Sequence, residues 1–110
     1  MDDVIVKKKK SSIFGFAVYA ARNFKKGEIV IKYNLKALNA LEFQRLPKTE
    51  KPFTHTHWGV IYLYSSPERY VNHSLNPNTL PNLKHKCDIA MKDIKQGEEI
   101  TTDSTKDDIS

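Results

Sequence analysis

Asn72-His73-Ser74-Leu75-Asn76-Pro77-Asn78 decides how this chain is read. The stretch follows Arg69-Tyr70-Val71 and precedes, about twenty residues on, Gly97-Glu98-Glu99-Ile100. Asn and His side chains carry donors and acceptors that need partners when buried. Several of them packed beside an apolar segment imply an internal polar network or a ligand, not a plain turn.

Working outward, the length of 110 residues predicts one domain. Such a chain can bury a core without disulfides or metals. Its single cysteine, Cys87, excludes an intrachain disulfide and a four-cysteine zinc site, and fits a reducing, cytoplasmic setting. Lys and Arg number 18 against 13 acidic residues, for a net charge of +5. Residues 1–55 carry 12 basic and 5 acidic residues, whereas residues 56–110 carry 6 and 8. A basic N-terminal half suits DNA, RNA or an acidic protein surface, and a solvated lysine-rich face explains it equally well. Lys7 to Lys10 followed by Ile13 to Ala21 has the outline of a signal peptide, but Asp2-Asp3 spoils the leader and the apolar run merges into a strand. No apolar run approaches the roughly 20 residues that span a bilayer, so no membrane partner is expected.

The pattern along the chain predicts many short strands. Val4-Ile5-Val6, Phe16 to Ala21, Glu28 to Tyr33, Trp58 to Tyr64, Cys87 to Met91 and Glu99 to Thr102 are apolar, β-branched or aromatic. Asn39 and Glu42 have capping-box spacing, which predicts a short helix through Leu46, stopped by Pro47. Lys48 to Thr54 reads as a polar connection and Asn76 to Asn82 as irregular. Phe24-Lys25-Lys26-Gly27-Glu28-Ile29 and Ile94-Lys95-Gln96-Gly97-Glu98-Glu99-Ile100 echo each other, and predict two similar turns that launch strands. The fold class is therefore mostly β, a β-rich α+β arrangement with one or two short helices.

Four motifs in order resemble the SET domain, the catalytic module of protein-lysine methyltransferases. Gly15-Phe16-Ala17-Val18-Tyr19-Ala20 is similar to its opening Gly-x-Gly segment, and Gly27 to Tyr33 to the strand that carries a tyrosine. Arg69-Tyr70-Val71-Asn72-His73-Ser74 is similar to its Arg-Phe/Tyr-x-Asn-His-Ser signature, and Gly97-Glu98-Glu99-Ile100 to its last motif. The chain most resembles the small viral and prokaryotic members. The resemblance implies several small twisted sheets with a knot-like C-terminal crossing, a single domain over residues 1–104, and a polar tail over 105–110.

It also implies S-adenosylmethionine as cofactor and a lysine-bearing, DNA-associated protein as substrate, with a nucleoid or nuclear location as the alternative to a cytoplasmic one. Backbone around Gly15, Phe16 and Ala17 would approach the cofactor, with Ala17 standing where the family has a second glycine. Asn72 and His73 would contact it by hydrogen bonds, and the carbonyls of Arg69 and Val71 would line the methyl-transfer pore. Tyr33 would form one wall of the lysine channel. Tyr62, Tyr64 and Trp58 are further candidates to line it, with core packing the preferred reading for them. His55 and His57 alternate and share a strand face. One cysteine and four scattered histidines offer no metal site. Of Glu98 and Glu99, one is expected to make a structural hydrogen bond and the other to face solvent. A homodimer would complete the substrate groove.

One position departs from the family. Counting on from Gly97-Glu98-Glu99-Ile100 places Ser104 where the catalytic tyrosine belongs. Three explanations stand: weak or absent activity, another residue such as Tyr33 or Tyr64 in its place, or an incidental change in an active enzyme. Losing one preorganised hydrogen-bonding group costs about 10²–10³ in rate. The alternative to an enzyme is a non-catalytic SET-like module that binds a peptide or nucleic acid.

Overall fold

The computed structural model describes residues 3–11 and 15–103. Within them, strands β1 (Val4–Lys8) and β2 (Phe16–Ala20) form an antiparallel pair in the register Val4↔Ala20 to Lys8↔Phe16. Strands β3 (Ile29–Lys32) and β4 (Lys36–Leu38) follow, then helix α1 (Ala40–Arg45). A 3₁₀ turn at Lys51–Phe53 leads into the hairpin of β5 (Thr54–His57) and β6 (Val60–Leu63). After a second 3₁₀ turn, Glu68–Tyr70, come β7 (Asn72–His73), β8 (Thr79–Asn82), β9 (Cys87–Ala90) and β10 (Glu99–Thr102). They build three sheets, ordered β1-β2-β10-β7, β3-β9-β8 and β4-β6-β5. The mostly-β expectation holds.

The core forms where the first two sheets meet. Val18, Ala20, Phe24, Val30, Ile31, Ala90, Ile94 and Ile100 are buried together, with Val4, Val6, Tyr33, Tyr70 and Val71 packed against them. The two echoing turns are joined across this core. Phe24 and Ile94 pair as an isolated bridge. The Gly27 amide donates to the Ala90 carbonyl at 2.9 Å, and the Gly97 amide donates to the Ala20 carbonyl at 2.8 Å. Lys26 N donates to Asp93 Oδ1 at 2.9 Å, and Gln96 N donates to Asn23 Oδ1 at 2.8 Å. Gly27 and Gly97 adopt φ of 93° and 91°, a conformation open to glycine at little steric cost. Each turn thus caps the strand preceding the other.

The last described strand is an interior strand of the first sheet. β10 lies between β2, antiparallel, and β7, parallel, in the register Thr101↔Asn72 and Thr102↔His73. Asn78 bridges it from the following loop: Nδ2 donates to the Glu99 carbonyl at 2.8 Å, and the Thr101 amide donates to Oδ1 at 2.9 Å. Thr79 Oγ1 donates to the Thr101 carbonyl at 2.7 Å. The polar network that the asparagine-rich stretch demanded is therefore internal in part, and Asn78 is its centre.

Four expectations are corrected. Trp58 to Tyr64 is not one strand, because Trp58 and Gly59 turn the chain with φ of 51° and 79° and pair His57 with Val60. Positive φ at both central residues is the two-residue type I′ pattern, whose twist suits a hairpin. Trp58 stands 58% exposed at its tip and not in the core. Thr79–Asn82 is a strand, since β9 offers it a ladder from Thr79↔Ala90 to Asn82↔Cys87. Pro81 is tolerated because β8 lies at the sheet edge. The connection over 48–54 contains the 3₁₀ turn, which buries Phe53. The capping box is confirmed in full: Glu42 N donates to Asn39 Oδ1 at 2.8 Å, and Asn39 N donates to Glu42 Oε1 at 3.1 Å.

Candidate functional site

Two polar groups of residues flank β10 and its neighbours. The first is an open cleft of about 430 Å³ lined by Lys9, Ser11, Asn72, His73, Ser74, Glu99 and Thr101. β7 and β10 place Asn72 directly beside Thr101, so both side chains reach one region. Asn72 Nδ2 donates to Glu99 Oε2 at 2.9 Å, while Lys9 Nζ binds the other oxygen, Glu99 Oε1. That bond to Glu99 raises the Lys9 pKa. Glu98 is exposed and accepts from Lys95 N at 3.2 Å. The two glutamates therefore split as expected. His73 is exposed and stands 3.7 Å from Asp103.

The cleft's chemistry fits an amino-acid zwitterion carrying a sugar. Lys9 and Glu99 meet there as an ion pair whose partners a zwitterion's own carboxylate and ammonium can replace, Asn72 adds an amide bonded to Glu99, and Ser11, Ser74 and Thr101 add hydroxyls. Its volume lies within the roughly 300–1,000 Å³ of small-molecule sites. Gly15 precedes β2 and Phe16 opens it, both half-buried, with the Phe16 ring 5.1 Å from that of Tyr70. Ala17 is fully buried and pairs with Lys7.

The second group is buried. Tyr33 follows β3, and its hydroxyl donates a short hydrogen bond to Asp88 Oδ1 on β9. Asp88 is 2% exposed, and burial pushes its carboxyl pKa up to about 7, against the opposing bond from Tyr33 and with a smaller push from Glu68. Glu68 is 5% exposed and its pKa is raised by burial. Its Oε2 accepts from Asn34 N at 2.7 Å and Ser65 N at 3.2 Å. The Tyr33 ring lies 5.4 Å from that of Tyr64, tilted by 37°, and the Tyr64 hydroxyl lies 2.8 Å from His57 Nε2. His55 and His57 share a face as expected, with rings 6.5 Å apart and nearly parallel.

Arg69 anchors the far side. Its Nη1 and Nη2 each donate to a Glu50 oxygen at 3.1 Å, Nε donates to the Tyr64 carbonyl at 2.8 Å, and the guanidinium lies 4.3 Å over Phe53. Its side chain is committed to these structural contacts. Val71 packs against the core.

The structure thus brings Asn72 and His73 to one cleft, and Tyr33 to a separate buried cluster. Ser104 lies outside the described residues. Among the described residues no group of three or more His, Cys, Asp or Glu could hold a metal. Sequence reasoning missed Asp88 and Glu68. The signal for Asp88 was an acid inside the apolar run Cys87 to Met91; nothing in the sequence marks Glu68 as buried.

Comparison with known proteins agrees with this architecture. A family model described as "SET domain" matches residues 15–103. No curated protein matches the sequence. A candidate histone methyltransferase of Plasmodium falciparum has a similar fold, with a TM-score of 0.71 at 16% identity, over 94% of this chain and 93% of that one. So does Chaetomium thermophilum Polycomb Repressive Complex 2: a humanized mutant bound to the inhibitor GSK343 gives a TM-score of 0.75 at 25% identity, over 97% of this chain and 16% of that one. The ctPRC2 structure bound to S-adenosylmethionine gives 0.74 at 24% identity, over 99% and 16%. The chain therefore spans about one sixth of these Polycomb chains.

Proposed function

Because the chain belongs to the SET-domain family, a fold family of protein-lysine methyltransferases, we propose that it transfers a methyl group from S-adenosylmethionine to a lysine side chain of a protein. The observation that carries this is the pairing of Asn72-His73 with Thr101-Thr102 at the wall of a cleft whose Lys9, Glu99 and hydroxyls suit the cofactor's amino-acid end. When bound, S-adenosylmethionine supplies an electrophilic methyl group. Asn72 and His73 would hold it, with backbone from Gly15, Phe16 and Ala17. The carbonyls of Arg69 and Val71 would line the methyl-transfer pore, where CH···O contacts are worth roughly 0.5–1 kcal/mol each. Tyr33 walls the lysine channel, and burial there favours the neutral amine. Most of the rate comes from this positioning.

The finer assignments belong to the same proposal. The protein is of the small viral or prokaryotic type, with residues 1–104 as its SET unit and 105–110 as a polar tail. Its substrate is a DNA-associated protein in the cytoplasm, nucleoid or nucleus. A second copy completes the substrate groove, and the basic half of the chain draws nucleic acid close. Among the described residues no helix is long and apolar enough to cross a membrane. Activity is reduced by Ser104 in place of the family's tyrosine. That same serine favours a second reading, a non-catalytic SET-like module that binds a peptide or nucleic acid.

The test is calorimetric binding of S-adenosylmethionine to the chain and to Ser104→Tyr, with methyl transfer to a mixed lysine-bearing protein pool read from both. Binding by both, with transfer appearing or rising in the tyrosine form, supports the proposal with Ser104 as the lesion. Equal transfer by both assigns the tyrosine's work to another residue. Binding without transfer by either supports the non-catalytic module, and no binding by either overturns the methyltransferase reading.

A further inference from the structure

Asp88 is not part of any motif that identified this chain, yet it is the most deeply buried carboxyl group joined to a proposed site residue. A carboxylate in such a place is costly unless it has partners or a task. Its partner is the Tyr33 hydroxyl, which donates to Oδ1. We infer that Asp88 is a positioning residue for lysine methylation: it orients the Tyr33 phenol and takes up, through it, the proton that a substrate lysine must lose. This rests on the methyltransferase reading above and deepens it.

The proton path balances. With Tyr33 donating to Asp88, the phenol oxygen keeps a lone pair that can accept an N–H from a lysine ammonium. The N–H bond breaks toward Tyr33 Oη as the phenol's own proton passes to Asp88 Oδ1, leaving a neutral amine and a neutral acid. The amine's lone pair then forms the N–C bond as the methyl's bond to sulfur breaks, with that electron pair staying on sulfur. Asp88 later returns its proton through Tyr33 to water. An acceptor that titrates near neutrality is suited to such a shuttle.

Charged and titratable groups face Asp88 from three elements. From β3 and the residue after it come Lys32, whose cation is felt at neighbouring Cys87, and Tyr33. From the 3₁₀ turn comes Glu68, whose charge works against ionising Asp88. On its own strand lies Cys87, whose thiol pKa is raised by burial and by Asp88. β8, opposite, contributes Thr79, Leu80, Pro81 and Asn82, none of which titrates.

The experiment has two arms. In the first, the chain with ¹³Cζ-labelled tyrosine is titrated by NMR without cofactor, Tyr33 being assigned from the resonance missing in Tyr33→Phe. The Tyr33 signal is expected to shift with an inflection near neutrality that Asp88→Asn abolishes. In the second, single-turnover transfer to the lysine-bearing pool is followed from about pH 6 to 9, in the natural and Ser104→Tyr backgrounds. Asp88→Asn is expected to lose about 10²-fold near pH 7.5 and to show a rate that keeps climbing with pH instead of levelling. Thermal melts of Asp88→Asn and Tyr33→Phe confirm folded protein, and either variant alone decides the kinetic arm. A Tyr33 signal flat through neutrality, or an unchanged pH profile in the variants, overturns the inference and leaves the methyltransferase reading intact. Failure of the unsubstituted site to bind S-adenosylmethionine, or to transfer in either background, overturns the inference together with its catalytic premise.

Discussion

Phe24 and Ile94 each donate a backbone N–H to the other's carbonyl, both at 2.8 Å, and their side chains are 1% exposed. This reciprocal bridge ties the two echoing turns to one core, and through them β2, β3, β9 and β10. Truncation here should therefore be felt by both main sheets. Ile94→Ala is expected to cost about 2–5 kcal/mol and Phe24→Ala about 3–5 kcal/mol. Against the roughly 5–15 kcal/mol of a small domain, either variant should be marginally folded. Urea denaturation checks this, and a loss under about 1 kcal/mol would show that the bridge is peripheral.

The matched turns make a second prediction. An added Cβ at Gly27 or Gly97 meets nothing within 4 Å, so the cost of alanine there is conformational and not a clash. With φ near 90° at both, Gly27→Ala and Gly97→Ala should each lose about 1–2 kcal/mol. Similar losses in chemical denaturation would confirm that the two turns are equivalent. A tenfold disparity in unfolding constant would break the equivalence.

How far the sequence could be read follows from these same residues. The turns were legible because Lys, Gly and Glu recur at fixed offsets around a conformation that glycine adopts readily. The cleft was legible because Asn72 and His73 carry a family signature. The hairpin was not, since Trp58 has a strand former's chemistry but sits at a turn that only backbone twist explains. β8 was hidden because proline and asparagine disfavour strands, and only the neighbouring ladder of β9 overrides that preference. The Tyr33–Asp88 contact joins residues 55 apart, and pairing of that range has no local signature.

Asp88 also makes stability depend on pH. Its folded pKa, about 7, lies above its ordinary value of 3.8. Between these values the folded chain keeps a proton that the unfolded chain has lost. This contribution is therefore fully present below about pH 4, declines as pH rises, and is gone above about pH 7. At roughly 1.4 kcal/mol for each pH unit, its whole span is at most about 4 kcal/mol. Glu68, raised in the same direction by burial, adds to the trend. Thermal melts from pH 5 to 8 should show the natural chain losing stability relative to Asp88→Asn. Parallel curves for the two would mean that Asp88 titrates normally.

Arg69 holds Glu50 through two N–H donors, the Tyr64 carbonyl through a third, and Phe53 through its flat face. Lysine keeps the charge but has neither the fork nor the plane. Arg69→Lys is expected to lose about 1–3 kcal/mol, the scale of charge-assisted hydrogen bonds. The loss should persist at 1 M salt, because fixed geometry and not long-range charge is what lysine lacks. Denaturation at low and high salt checks both statements, and full rescue of Arg69→Lys by salt would reduce the contact to a screened surface pair.

Trp58 is the residue whose chemistry least matches its place. It occupies the first central position of the Trp58-Gly59 turn at φ 51°, where asparagine is far better tolerated than a bulky aromatic. The residue is more exposed than buried, and its ring lies 6.4 Å from that of His57. The left-handed backbone costs a bulky residue roughly 1–2 kcal/mol, and the burial forfeited on substitution returns part of that. Trp58→Asn is therefore expected to stabilise the β5–β6 hairpin by about 0.5–1 kcal/mol. Slower amide exchange across the pairs His55↔Tyr62 and His57↔Val60 is the readout. Faster exchange would mean that the tryptophan ring holds the hairpin against the apolar groove formed with Leu80, Leu83 and Met91, and that this contact outweighs the backbone cost.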